Sequence, residues 1–219
     1  MKLVNTLTAA VMAVVTLASC QKEKSQDAVV NKISAKGEVL PGDDENLSGR
    51  GYYGGFVYTL SNQTSGNAVM AYRRAANGSL TFDASYAAGG NGTGGGLGNQ
   101  EAVILTDDNM LLAVNAGSNS VSSFKIYNGG LTLASTVSSG GMRPVSIAQH
   151  EGIVFVLNAG GTNNISGFKL MSNGMLQSIP NSTRPLSAAT TGPAQVSFVN
   201  GGKVLVVTEK ATIDRYVRC

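Results

Sequence analysis

From residue 51 onward, apolar residues come in short runs separated by turns rich in Gly, Asn and Ser, and no run keeps the spacing of an amphipathic helix. The runs are of two kinds. Some, such as IVFVLN at 153–158 and MLLAVN at 110–115, are apolar almost throughout, as expected of strands covered on both faces. Others, such as NISGFKL at 164–170, alternate, with Phe168 and Leu170 on one side and Lys169 on the other. Asn77-Gly78, Gly129-Gly130 and Asn173-Gly174 fall between such runs, and these pairs accept the positive φ of a tight hairpin turn. The pattern predicts an all-β body.

The runs themselves recur in a unit of about 43 to 54 residues. Asn115 in LLAVNAGSNSVSSFKIYNGGLTL matches Asn158 in VFVLNAGGTNNISGFKLMSNGMLQS, with looser copies around Ser61 and Thr208. Each unit divides into four strands, A to D. In the clearest copy A covers 143–149, B 153–158 and C 164–170, and D starts near Leu176; in the copy before it the same order reads AVILT, MLLAVN, SVSSFKI and LTLASTV. Meandering four-stranded units of this length are the signature of β-propeller blades. Tyr72, Phe124, Phe168 and Tyr216 occupy matching positions of strand C and are expected to pack between neighbouring blades. The first unit opens at B and the last stops after C, so the array reads as three, four, four and three strands. The expected fold is an arc of about three and a half four-stranded antiparallel blades, with its terminal blade faces and an edge strand open to self-association.

Ahead of this body, Lys2 is followed by a mostly apolar stretch from Leu3 to Leu17 and then by Ala18, Ser19 and Cys20. The stretch is short for a bilayer span of about 20 residues and reads as a secretion signal over 1–19. Leu-Ala-Ser-Cys resembles a bacterial lipoprotein cleavage box, which makes Cys20 the expected lipidation site and the cell envelope, on the outer-membrane side, the expected location. Residues 20–50 mix both charges with Gly, Ser and Asn and show no periodicity, so they read as a flexible tether to a body at 51–219.

Composition narrows the chemistry. The formal net charge is only +3 and no Lys or Arg run is long enough to trace a phosphate backbone, so nucleic acid is not an expected partner. His150 is the only histidine, and the two cysteines are Cys20 and the terminal Cys219, so zinc sites built on His and Cys are out of reach and no cofactor or metal is expected. A G-x-G-x-x-G match at Gly90, Gly92 and Gly95 precedes a strand rather than a helix and reads as a crossover between blades.

G-M-R-P before a strand, V-N-A-G-S-N and L-N-A-G-G-T-N at the B to C turns, T-G-P-A-Q-V-S-F before the last unit and V-V-T-E-K-A-T within it resemble the seven-bladed propellers of the lactonase family, which includes 6-phosphogluconolactonase-like proteins and the fungal carboxymuconate cyclase. The resemblance runs from Gly54 to Val217 and implies half of a seven-bladed ring, the N-terminal half. It also implies a frameshift, premature stop or split gene, with the family pattern left at Asp214 to Cys219. The implied reaction is opening of a sugar lactone or similar cyclic ester, which needs a base to activate water and a donor for the carbonyl oxyanion.

In a meander, the loops entering A and the B to C turns share one end of each blade. That end is expected to carry Arg143, Arg184, Asn115, Asn158 and Glu209, while His150, Glu151, Arg73 and Arg74 fall at the other. Glu209 is the candidate base, Arg143 and Arg184 are candidates for the oxyanion and for an anionic group on the substrate, and Asn115 and Asn158 are candidate substrate contacts or turn caps. The cyclase branch of the family draws attention to His150, which topology sets at the opposite end. Three readings stay open: an impaired or intact lactonase, a non-catalytic envelope propeller that binds protein or glycan, and an inactive gene fragment.

Overall fold

The computed structural model describes residues 53–128, 130–187 and 192–210. The leader, Cys20, the tether and the last predicted strand with Arg215, Tyr216 and Cys219 lie outside the described residues. Every regular element described is a strand, and each pairing is antiparallel. The first blade holds β1 (Tyr53–Leu60), β2 (Ala68–Ala75) and β3 (Leu80–Ala87). The second holds β4 (Val103–Leu105), β5 (Met110–Asn115), β6 (Ser120–Tyr127) and β7 (Gly130–Ser138). The third holds β8 (Met142–His150), β9 (Ile153–Gly160) and β10 (Asn164–Leu170), followed by β11 (Leu176–Ser178) and β12 (Arg184–Pro185). The fourth contributes β13 (Gly192–Val199) and β14 (Val204–Lys210). Strands follow chain order within each sheet, which is the meander the repeat predicts.

One strand departs from the prediction. The outer strand of the third blade is broken, since β11 and β12 both pair with β10 and residues 179–183 bulge away between them. Pro180 cannot donate to the ladder. Ser182 fills the gap: its hydroxyl accepts from the Gly167 N–H at 2.9 Å and donates to the Ile179 carbonyl at 2.7 Å.

Packing between blades follows from period-two alternation in strands buried on both faces. Leu111 and Ala113 of β5 point toward the first blade and cluster with Val69, Ala88 and Phe124. Leu112 and Val114, on the opposite face, cluster with Ile147, Val154, Val156 and Phe168 of the third blade. Leu157 and Val145 then meet Val196 of the fourth, with Phe198, Leu205 and Val207 beside them. Phe124 is 0% exposed and Phe168 2%, so the strand C aromatics do fill junctions where a preceding blade is present. Tyr72 lies on the first blade's open face, edge-on to Phe82 at 5.7 Å.

Tyr58 sits beneath this junction. Burial, and after it the neighbouring Tyr86 and Asp83, hold its phenol above the ordinary tyrosine value. A raised folded-state value means a contribution to stability that is complete below about pH 10 and is lost as pH rises through the raised value. Tyr58→Phe is expected to flatten that part of the alkaline decline, read as the slope of the thermal midpoint against pH.

Candidate functional site

Strand register fixes the two ends of the blades. Asn158 pairs with both Pro144 and Asn164, Ile165 pairs with Arg184, and Pro193 pairs with Glu209. Arg143, Arg184, Asn115, Asn158 and Glu209 therefore lie at one end, with the B to C turns and the crossovers between blades. His150 pairs with Ile153 across the opposite turn, and Arg73 and Arg74 pair with Thr81 and Leu80, so these lie at the other end.

Asn115 and Asn158 are built into the scaffold. Asn115 is wholly buried, and its amide nitrogen reaches Ser122 Oγ at 2.8 Å, Ser120 Oγ at 3.3 Å and the carbonyl of Ala88, in the crossover from the first blade, at 3.3 Å. Its oxygen accepts from Asn67 Nδ2 at 3.0 Å. Asn158 is equally buried and repeats the design, donating to the Ser139 carbonyl at 3.1 Å and to Asn164 Oδ1 at 2.9 Å. The Gly-Gly pairs in the crossovers exist for these amides. A Cβ on Gly90 would lie 2.7 Å from Asn115 Cβ, and one on Gly141 would lie 2.7 Å from Asn158 Cβ. Both side chains act as struts that tie the end of one blade to the crossover from the blade before.

Register also corrects the fourth copy of the repeat. Pro144 opposes Asn158 and Pro193 opposes Glu209, so Glu209 rather than Thr208 holds the strut position. The chemistry is inverted there. An Asn donates to the crossover carbonyl, whereas Glu209 Oε2 accepts from the hydroxyl of Ser187 in the crossover from the third blade. Glu209 is also half-buried where the two asparagines are closed off. Neighbouring Lys210 reaches back across the end and donates to the Gly98 carbonyl at 2.7 Å.

The two arginines differ. Arg184 is exposed, and its guanidinium already donates to the carbonyls of Asn181 at 2.6 Å and Thr183 at 2.8 Å. Arg143 is exposed, and its guanidinium donates to no other described residue. Its backbone is in the left-handed region, with φ of 52°, where Asn supplies six of the nine non-glycine residues described. That conformation is held by Asn119, whose Oδ1 accepts from the Arg143 N–H at 2.8 Å. Asn119 is the counterpart of Asn67. Because its oxygen serves Arg143 and its amide makes no bond to Asn158, Asn158 Oδ1 is left buried without a partner among the described residues. Strain at a non-glycine left-handed residue is about 1 kcal/mol and concentrates at functional positions. Arg143→Gly is expected to raise stability by about 0.5–1 kcal/mol, or the thermal midpoint by about 1–4 °C, in calorimetry.

Sequence reasoning passed over Glu101. It follows the glycine-rich crossover, has φ of 61°, and buries Oε2 with no hydrogen-bond partner among the described residues. It lines a groove of about 420 Å³ along the inner strands of blades two to four, whose far end holds His150. Its only signal in the sequence is a carboxylate at the start of an inner strand. The crossover itself behaves as a laid-down strap, since the Gly92 N–H donates to the Gln63 carbonyl at 2.7 Å and Asn62 Nδ2 to the Gly95 carbonyl at 2.6 Å. Strand β4 follows it, and no helix does.

No family model matches the chain, and no curated protein matches it. Solved structures do. A protein from Lactobacillus plantarum superposes with a TM-score of 0.56 at 20% identity, over 71% of this chain and 47% of its own. A protein from Bacteroides uniformis, provisionally described as a 6-phosphogluconolactonase, superposes with a TM-score of 0.54 at 18% identity, over 70% of this chain and 47% of its own. The chain thus spans about half the length of the structures it matches, and at these identities the likeness is one of fold: it is an arc of antiparallel propeller blades built as theirs are.

Proposed function

We propose that the chain opens the ring of a sugar lactone or similar cyclic ester at the blade end that carries Arg143, Arg184 and Glu209. The observation that carries this reading is the Arg143 guanidinium, which has no described protein partner, held on a strained backbone at the same end as a half-buried carboxylate. Glu209 takes a proton from water as the water oxygen adds to the lactone carbonyl carbon, and Arg143 stabilises the oxyanion. The intermediate collapses with cleavage of the ring C–O bond, and the ring oxygen leaves as a hydroxyl on receiving the proton. Arg184 holds a carboxylate or phosphate on the substrate. The fold shared with the Bacteroides uniformis protein supports the substrate class.

The test is hydrolysis of aldonolactones, with and without a 6-phosphate, followed by acid release. Turnover that falls at least tenfold in Arg143→Ala supports the reading, and a folded chain that opens none of them contradicts it. We also propose that Cys20 carries the lipid that holds the chain at the envelope, on the strength of Leu-Ala-Ser-Cys after the apolar leader. Radiolabelled palmitate should enter the wild-type chain and not Cys20→Ser; equal labelling of both would refute the assignment.

A further inference from the structure

We infer that Asn119 is a positioning residue of the proposed site, where it sets the backbone of Arg143; the inference rests on the lactone-opening reading. The chain's own repeats show what a residue at this position otherwise does. Asn67, Asn119 and Asn163 each stand immediately before strand C of their blade. Each also lends its carbonyl to an N–H of the crossover that follows, from Ala88 at 2.8 Å, Ser139 at 2.9 Å and Leu186 at 3.2 Å. The three positions are therefore equivalent. Asn67 and Asn163 are each 3% exposed, whereas Asn119 is partly exposed. Of the three, only Asn119 has a left-handed backbone, with φ of 55°.

At the first of these positions the side chain ties two blades together. Asn67 Nδ2 donates to the Val114 carbonyl at 2.9 Å and to Asn115 Oδ1 at 3.0 Å. Asn119 forgoes the matching bond to Asn158. Its Oδ1 accepts from the Arg143 N–H at 2.8 Å, its Nδ2 donates to no described residue, and Asn158 Oδ1 is left buried without a partner among the described residues. An orphaned buried acceptor is costly. Arg143 adds to the cost, because it holds φ of 52° although it precedes Pro144, whose ring favours extended backbone in the residue before it. A Cβ on Gly160 would lie only 3.0 Å from Arg143 Cβ, so the facing strand is kept bare where that side chain starts. The departures at Asn119, Asn158 and Arg143 from the repeat's own pattern thus converge on one hydrogen bond, and its effect is to fix the direction in which Arg143 leaves the blade end. Local strain and unmet polar groups of this kind are kept where a site needs them.

The test is a double-mutant cycle on aldonolactone opening by the full chain, read alongside the thermal midpoint. Asn119→Gly removes the acceptor while leaving a residue suited to positive φ. It is expected to lower kcat at least about tenfold with KM changed by less than about threefold, since an oxyanion donor acts in the transition state. The midpoint should move by no more than about 2 °C. In an Arg143→Ala background the same substitution should change kcat by less than about twofold, because a residue that acts through Arg143 then has nothing left to set. Asn67→Ala is the control at the equivalent position, expected to lower the midpoint by about 4 °C or more while kcat stays within about twofold. Full turnover in Asn119→Gly would overturn the inference. So would equal losses from Asn119→Gly with and without Arg143, or a loss of turnover in Asn67→Ala as large as in Asn119→Gly. A folded wild-type chain that opens no aldonolactone would instead contradict the lactone-opening reading, and this inference with it, so the two failures are told apart.

Discussion

Replacing Glu209 by Gln is expected to slow lactone opening by about 10²- to 10⁴-fold, the usual contribution of a positioned general base. The substitution is informative because of the place Glu209 occupies. Its counterparts Asn115 and Asn158 are amides that brace the end of a blade against a crossover. A Gln at 209 keeps an oxygen for the Ser187 hydroxyl and adds the donor that those amides use, so the brace survives while the base is lost. If Glu209 were a brace alone, Glu209→Gln would leave both rate and stability where they were. A fall in kcat at unchanged thermal midpoint separates the two roles, and Ser187→Ala should lower the midpoint more than Glu209→Gln does.

Phe124→Ala should be the most destabilising single change among these positions, by about 3–5 kcal/mol. The ring is 0% exposed and fills the junction between the first two blades with Val69, Ala88, Leu111 and Ala113. The buried side chains that line the resulting cavity lose those contacts outright. The effect should also be local. Each blade contacts chiefly its neighbours, so amide exchange should quicken in β1 to β3 while β8 to β10 keep their protection. Tyr72→Ala at the equivalent place on the first blade is the control, expected to cost about 1 kcal/mol because that ring is already partly exposed to solvent. Equal losses at the two positions would contradict the junction account.

Much of the fold was legible because blade strands are short apolar runs whose ends are marked by Asn and Gly. Strands β5 and β10 fall at 110–115 and 164–170, where the run boundaries put them. The fourth copy slipped by one residue for a physical reason. Its inner hairpin turns through Asn200, Gly201, Gly202 and Lys203, two residues longer than Glu151-Gly152 in the third blade, and the run VLVVT has no internal mark to set register. The break in the third blade's outer strand could be suspected from Pro180, but the rescue of the ladder by Ser182 depends on a bulge that sequence periodicity does not describe. At the site, topology alone brought Arg143, Arg184 and Glu209 to one end. What sequence could not separate was brace from ligand contact. Asn115 and Asn158 look like binding residues in a string of letters and become struts only once Ala88, Ser139 and the Gly-Gly crossovers are placed against them. Glu101 was missed because the groove it lines is completed by the inner strands of two later blades.

The most direct test is to locate a bound aldonate, the product of the proposed reaction, by crystallography of the full chain. The carboxylate is expected within hydrogen-bond distance of the Arg143 guanidinium, with Glu209 on the side from which water would approach. An aldonate found instead in the inner groove between Glu101 and His150, with Arg143 uncontacted, would contradict the account.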